Sequence, residues 1–152
     1  MVSFHKPNFN KSLTRCLLII TNSPLNVLRE YKFVVNGSNA SLLLRTSLSE
    51  NLTSFGWNVE FSSHISHEME LTNVIATWKP QNLSQNEINE LGRIVLSAHY
   101  DTRNVANRDS NESLRNTPIL GANDGASGVA ALMELGRIIP GMNLNNEVML
   151  LF

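Results

Sequence analysis

Charge is scarce in this chain. Only 16% of its 152 residues are Asp, Glu, Lys or Arg, and 12 basic against 13 acidic side chains leave a formal net charge of −1. A nearly neutral chain with interspersed signs lacks the basic surface that nucleic acid or an anionic membrane requires, so neither is expected as a partner. Cysteine is scarcer still. Cys16 alone excludes an internal disulfide and a thiolate zinc cluster, and reads as a small apolar side chain. No apolar run approaches the ~20 residues of a membrane-spanning helix. Lys6, Lys11 and Arg15 precede the apolar Cys16-Leu17-Leu18-Ile19-Ile20, an echo of a secretory leader. That run is short and is interrupted by Asn22, Ser23 and Pro24. Internal repeats and low-complexity tracts are also missing. Cellular location and oligomeric state are therefore left open. Asn and Ser are plentiful, and Asn-x-Ser/Thr triplets begin at Asn10, Asn36, Asn39, Asn51, Asn82 and Asn111. A composition of this kind produces such triplets by chance, so they do not assign a compartment.

The length suits one domain with a buried core. Residues 1–22 carry no period. Ser23-Pro24 starts a short predicted helix that runs to about Phe33, and Asn36-Gly37-Ser38 breaks the chain. A second helix is predicted over Asn39 to Phe55, with Leu42, Leu43, Leu48, Leu52 and Phe55 as its apolar stripe and Gly56 as its stop. Trp57 to Phe61 alternates as a strand with one buried face. A polar turn through His64 and His67 leads to a strand from Leu71 to Trp78, and Gln81 to Gly92 reads as a polar loop. Arg93 to Ala98 is almost continuously apolar, which predicts a strand covered on both faces at the centre of a sheet. A long polar loop follows over Tyr100 to Asn116. Asp124 to Ile139 is the strongest helix, and Glu147 to Phe152 a last strand whose apolar surface and open edge should be left uncovered. The order predicts an α/β fold, with the two central strands parallel through a right-handed crossover.

Chemistry gathers around that helix. His99 and Asp101 stand two residues apart at a strand end, so period-two geometry turns both to one side. Asp101 can then hold one imidazole nitrogen while the other faces a metal. A satisfied His–Asp pair without a metal is the plainer alternative. Asp124 precedes an apolar helix with Ser127 three residues on, and could be nothing more than an N-cap. A bare cap has no need of Gly121, Gly125 and Gly128, whereas a carboxylate that enters a metal pocket needs tight turns. His64 and His67 have chelating spacing but lie among Glu68 and Glu70 in a polar segment, which reads as solvated surface.

The residues Ala98-His99-Tyr100-Asp101-Thr102-Arg103, Asn107-Arg108-Asp109 and Pro118-Ile119-Leu120-Gly121-Ala122-Asn123-Asp124-Gly125-Ala126-Ser127-Gly128, with the helix Val129 to Arg137, resemble metallopeptidase family 28. That family comprises the zinc aminopeptidases and their offshoot, the animal-type glutaminyl cyclases. The likeness is specific over Arg93 to Arg137, weaker over Asn36 to Trp78, and not visible in residues 1–35. It implies a three-layer α/β/α mixed-sheet zinc exopeptidase fold, of which 36–152 would be the N-terminal half, preceded by a tail and short helix in 1–35. By the same resemblance His99 binds one zinc in a peptidase and stands near but unbound in a cyclase, Asp124 bridges two zinc ions in a peptidase or holds a single one in a cyclase, and Asp101 orients His99.

The resemblance further implies that the general-base glutamate and the remaining ligands follow the strand ending at Phe152. The implied activity is exopeptidase hydrolysis at peptide or protein N-termini with one or two zinc ions in the complete domain, and the 152 residues alone should be an inactive fragment. Two alternatives stand beside it: glutaminyl-peptide cyclotransfer forming N-terminal pyroglutamate, and a degenerate, non-catalytic binding module.

Overall fold

A computed structural model describes residues 38–66, 68–119 and 121–152. The helix expected over Ser23 to Phe33, Cys16 and His67 lie outside the described residues. The chain forms α1 (Asn39–Ser54), β1 (Asn58–Ser66), β2 (Met69–Trp78), α2 (Gln85–Leu91), β3 (Arg93–Ser97), a 3-10 turn (Glu112–Leu114), α3 (Ala126–Ile138), a second 3-10 turn (Ile139–Gly141) and β4 (Glu147–Leu151). Among the described residues no helix is long and apolar enough to cross a membrane.

The fold is mixed α/β around one four-stranded sheet in the order β1-β2-β4-β3. β1 and β2 form an antiparallel hairpin, β2 pairs antiparallel with β4, and β3 pairs parallel with β4 through the α3 crossover. The parallel pair is the one expected, but the places of its two strands are exchanged. β4, expected to lie open, is internal, with Val148, Leu150 and Phe152 buried. β3, expected at the centre, is an edge of the described sheet, with Ile94 41% and Val95 53% exposed. An apolar run reports that a strand can be covered on both faces, but it does not say which strand lies beside it.

α1 and α3 lie on one face of the sheet and touch each other. Leu44, Leu48 and Leu52 of α1 meet Val129, Leu132 and Met133 of α3 over Val74, Ala76, Val148 and Leu150. The buried stripe of α1 is thus Leu44-Leu48-Leu52, and Leu42 and Leu43 face solvent. Their register explains this, because residues at i, i+4 and i+8 share one helical face and Leu42 and Leu43 are turned from it. Gly136 makes the contact close: a Cβ there would lie 2.7 Å from Leu52 Cδ2 and 3.2 Å from Leu150 Cδ1. These two helices form a layer over this face of the sheet.

Two further differences concern local structure. Gln85–Leu91 is a helix rather than a loop. Ser84 accepts from the Glu87 main chain, and the Glu87 carboxylate accepts in return from Ser84 N at 2.8 Å, a complete capping box. Short polar helices bury few side chains, here Ile88, and so leave a weak apolar period. His64 lies within β1, paired with Leu71, so the strand continues through residues expected to turn.

At one end of the sheet Glu147, 2% exposed, forms ion pairs with Arg93 Nε and with Lys79 Nζ at 3.4 Å. These contacts join β2, β3 and β4. At the far end of α3, Pro140 cannot donate the hydrogen bond that the Gly136 carbonyl would receive from residue i+4. Trp57 Nε1 donates to that carbonyl instead, at 2.7 Å.

Trp57→Phe should therefore lower stability by about 1–3 kcal/mol in denaturant unfolding, as a buried carbonyl loses its donor. In a Pro140→Ala background the loss should shrink, because alanine restores a main-chain donor; an unchanged loss would show that packing alone decides it. A second expectation concerns acid. The hydrogen bonds from Ser84 hold the Glu87 carboxyl below its ordinary value of 4.5. A depressed carboxyl contributes stability above its unfolded value and loses it as pH falls through the folded value. Protection of the α2 amides from hydrogen exchange, corrected for intrinsic rates, should accordingly weaken below about pH 4.5 in the wild type and not in Glu87→Gln.

Candidate metal centre

β3 leaves the ladder after Ser97, with Ala98 N still donating to Leu151 O. The next three side chains alternate. Tyr100 turns inward and is buried, and His99 and Asp101 turn outward together. His99 Nδ1 lies 3.1 Å from Asp101 O and 3.3 Å from Asp101 Oδ1. The other nitrogen, Nε2, lies 3.0 Å from Asp124 Oδ1. His99 therefore stands between Asp101 at one ring nitrogen and Asp124 at the other. His64 does not join them, since no cluster of three or more His, Cys, Asp or Glu arranged to hold a metal occurs among the described residues.

Asp124 is not a helix cap. α3 begins at Ala126 with Gly125 as its N-cap residue and no side-chain cap bond. Asp124 sits in the preceding turn, 77% exposed, with its carboxylate on His99. Gly125 makes this possible. Its φ is +106°, and a Cβ there would lie 3.1 Å from Asp101 O and 3.6 Å from His99 Cε1. The glycine thus serves both the backbone turn and the contact with the dyad. Beyond it, a Cβ on Gly128 would lie 2.9 Å from Ala98 Cβ, so the first turn of α3 rests on the end of β3. The intervening loop is folded back on itself. Ala106 N donates to Thr117 O at 2.8 Å and Arg115 Nε to Asp109 O at 2.8 Å.

The donor set fits an edge of a metal polyhedron. With Nδ1–H shared between the two Asp101 oxygens, Nε2 carries a lone pair and faces a carboxylate oxygen. Two acceptors at that distance require a proton or a cation between them. Zinc sits about 2.0–2.1 Å from nitrogen and oxygen ligands, so adjacent ligands of a tetrahedral ion lie about 3.3 Å apart. The observed 3.0 Å is close to that separation. The described residues supply two such ligands here, and a zinc site takes three or four.

A mixed α/β domain with an imidazole and a carboxylate meeting where a strand end faces a helix start is the class that fold and site define. The chain belongs to peptidase family M28, whose family model matches residues 73–152. No curated protein matches it. Among solved structures it is similar to a leucine aminopeptidase precursor from Bacteroides thetaiotaomicron, with 30% identity over 92% of this chain and 46% of that one and a TM-score of 0.74. It is also similar to a glutaminyl cyclase from the same organism, bound to N-acetylhistamine, at 29% identity, 92% and 45% coverage and a TM-score of 0.72. A third is a Zn-dependent exopeptidase from Parabacteroides distasonis, at 26% identity, 92% and 45% coverage and a TM-score of 0.73. The chain spans a little under half the length of these structures.

Sequence reasoning passed over Tyr100, which is buried between His99 and Asp101 and donates its hydroxyl to Thr72 O. The signal was present, since an aromatic between two outward-facing polar residues at a strand end must point to the core. Gly125→Ala should cost about 1–3 kcal/mol in unfolding free energy, through both the left-handed φ and the crowding against Asp101. Its His99 ring resonances should move in NMR spectra, whereas Gly141→Ala, with nothing within 4 Å of the added Cβ, should leave them in place.

Proposed function

We propose that this chain provides metal-binding residues of a zinc-dependent exopeptidase of the aminopeptidase type, which hydrolyses N-terminal bonds of peptides or proteins. His99 and Asp124 are the ligands and Asp101 orients His99. The observation that carries the reading is the 3.0 Å approach of His99 Nε2 to Asp124 Oδ1.

Bound zinc supplies an acidified water and polarises the scissile carbonyl. The chain's own residues act around it. Asp101 accepts the Nδ1 proton of His99 through its main-chain and side-chain oxygens, which keeps Nε2 free for the metal and raises its basicity. Asp124 brings negative charge from a backbone turn rather than a flexible loop. The segment 102–116 rises from the same point and is a candidate wall for the substrate's amino end.

A second reading is glutaminyl-peptide cyclotransfer, in which the substrate's own amine displaces ammonia from its glutamine side chain. The 29% identity to a glutaminyl cyclase supports it.

Ligand number limits what the 152 residues do alone. With two ligands brought together, they should bind zinc weakly and turn over no substrate. In equilibrium dialysis, His99→Ala and Asp124→Asn should each weaken zinc binding about tenfold or more. Binding indifferent to both substitutions would remove the reading. In active protein carrying these residues, nitroaniline release from a leucyl substrate supports the peptidase, and ammonia release from a glutaminyl peptide supports the cyclase. Chelator-sensitive cleavage by the 152 residues alone, abolished by His99→Ala, would overturn the expectation of inactivity.

A further inference from the structure

His99 and Asp101 lie beyond the sheet's regular pairing. The last ladder bond on β3 is that of Ala98, and β3 is an edge of the described sheet. A turn so placed would swing about Ala98 unless another group held it. The group that reaches into the core is Tyr100. Its ring is buried, and its hydroxyl donates to the Thr72 carbonyl at 2.5 Å. Thr72 belongs to β2, which β4 separates from β3. The side chain therefore spans the end of β4 and fastens the turn to a strand that its own backbone cannot reach.

The two neighbours of Tyr100 are the two halves of the hydrogen-bonded dyad. Asp101 presents both its main-chain and its carboxylate oxygen to His99 Nδ1, and both must be in place for Nδ1 to keep its proton. A small rotation of the peptide after Tyr100 moves both oxygens at once. Hydrogen-bonded partners behind a ligand histidine typically alter metal affinity about 10- to 100-fold when lost.

We propose that Tyr100 is a positioning residue for the metal centre: its hydroxyl, tied to Thr72 O, sets the Asp101 oxygens that hold His99 in the Nδ1–H tautomer. The metal half of this inference rests on the function proposed above, and the tautomer half does not.

The test uses Tyr100→Phe, which keeps the ring and removes only the hydroxyl, with Leu44→Ala as a control that damages the core on α1. Long-range nitrogen–proton NMR spectra, recorded without metal at alkaline pH, report the His99 tautomer. The wild type and Leu44→Ala should show the same ratio of the two tautomers, and Tyr100→Phe a ratio shifted away from Nδ1–H. Cobalt(II) titration, followed by visible absorption, should show about tenfold weaker binding for Tyr100→Phe than for Leu44→Ala, although the latter unfolds at lower temperature. A tautomer ratio unchanged in Tyr100→Phe overturns the proposal. A Tyr100-dependent tautomer in a protein that binds no cobalt supports the positioning role and instead removes the metal reading.

Discussion

The close approach of one backbone turn to one strand end governs the rest of this structure. A Cβ on Gly125 would lie 3.1 Å from the Asp101 carbonyl and 3.6 Å from that of His99, and one on Gly128 2.9 Å from Ala98 Cβ. A side chain at Gly125 would be strained by the positive φ and would crowd the Asp101 carbonyl beside His99. The steric opening left by glycine thus lets the helix entry bring Asp124 to His99. The cost is carried locally: α3 starts without a side-chain cap, and Asp124 stands in the turn instead of satisfying the helix amides.

Packing further away keeps that approach in register. Parallel pairing of β3 with β4 sets the height of the strand end, from Arg93 opposite Glu147 to Ser97 opposite Leu151. The glycine face of α3 lets Leu52 and Leu150 close on the helix, and Trp57 holds the carbonyl that Pro140 leaves without a donor. Each contact is ordinary in strength. Together they restrict α3 to one position relative to β3, so the separation of His99 and Asp124 is a property of the whole helical layer.

The site was more legible than the sheet. His99 and Asp101 could be assigned to one side because strand alternation is a strictly local rule. The spacing of glycines around Asp124 marked a turn under steric demand before any neighbour was known. Strand order obeys no local rule. Arg93 to Ala98 and Glu147 to Phe152 are both apolar, and nothing within either run says that β2 pairs with the second and not the first. The α1 stripe was misplaced for a similar reason, since leucine crowds Leu42 to Leu44 and only packing against α3 and the sheet selects the face. Gln85–Leu91 escaped notice because its helix is announced by the Ser84 and Glu87 cap rather than by an apolar period.

By itself the sequence determined the mixed α/β class, the parallel pair joined by α3, the placing of His99 and Asp101 on one side of a strand end, and the scarcity of charge. These follow from periodicity, spacing and composition, which act over a few neighbouring residues. Tertiary structure alone decided that β4 is internal and β3 an edge, that Asp124 serves His99 instead of the helix, and that Tyr100 reaches past β4 to Thr72. Those outcomes depend on distances between segments remote in sequence, and such distances are settled only when the core closes.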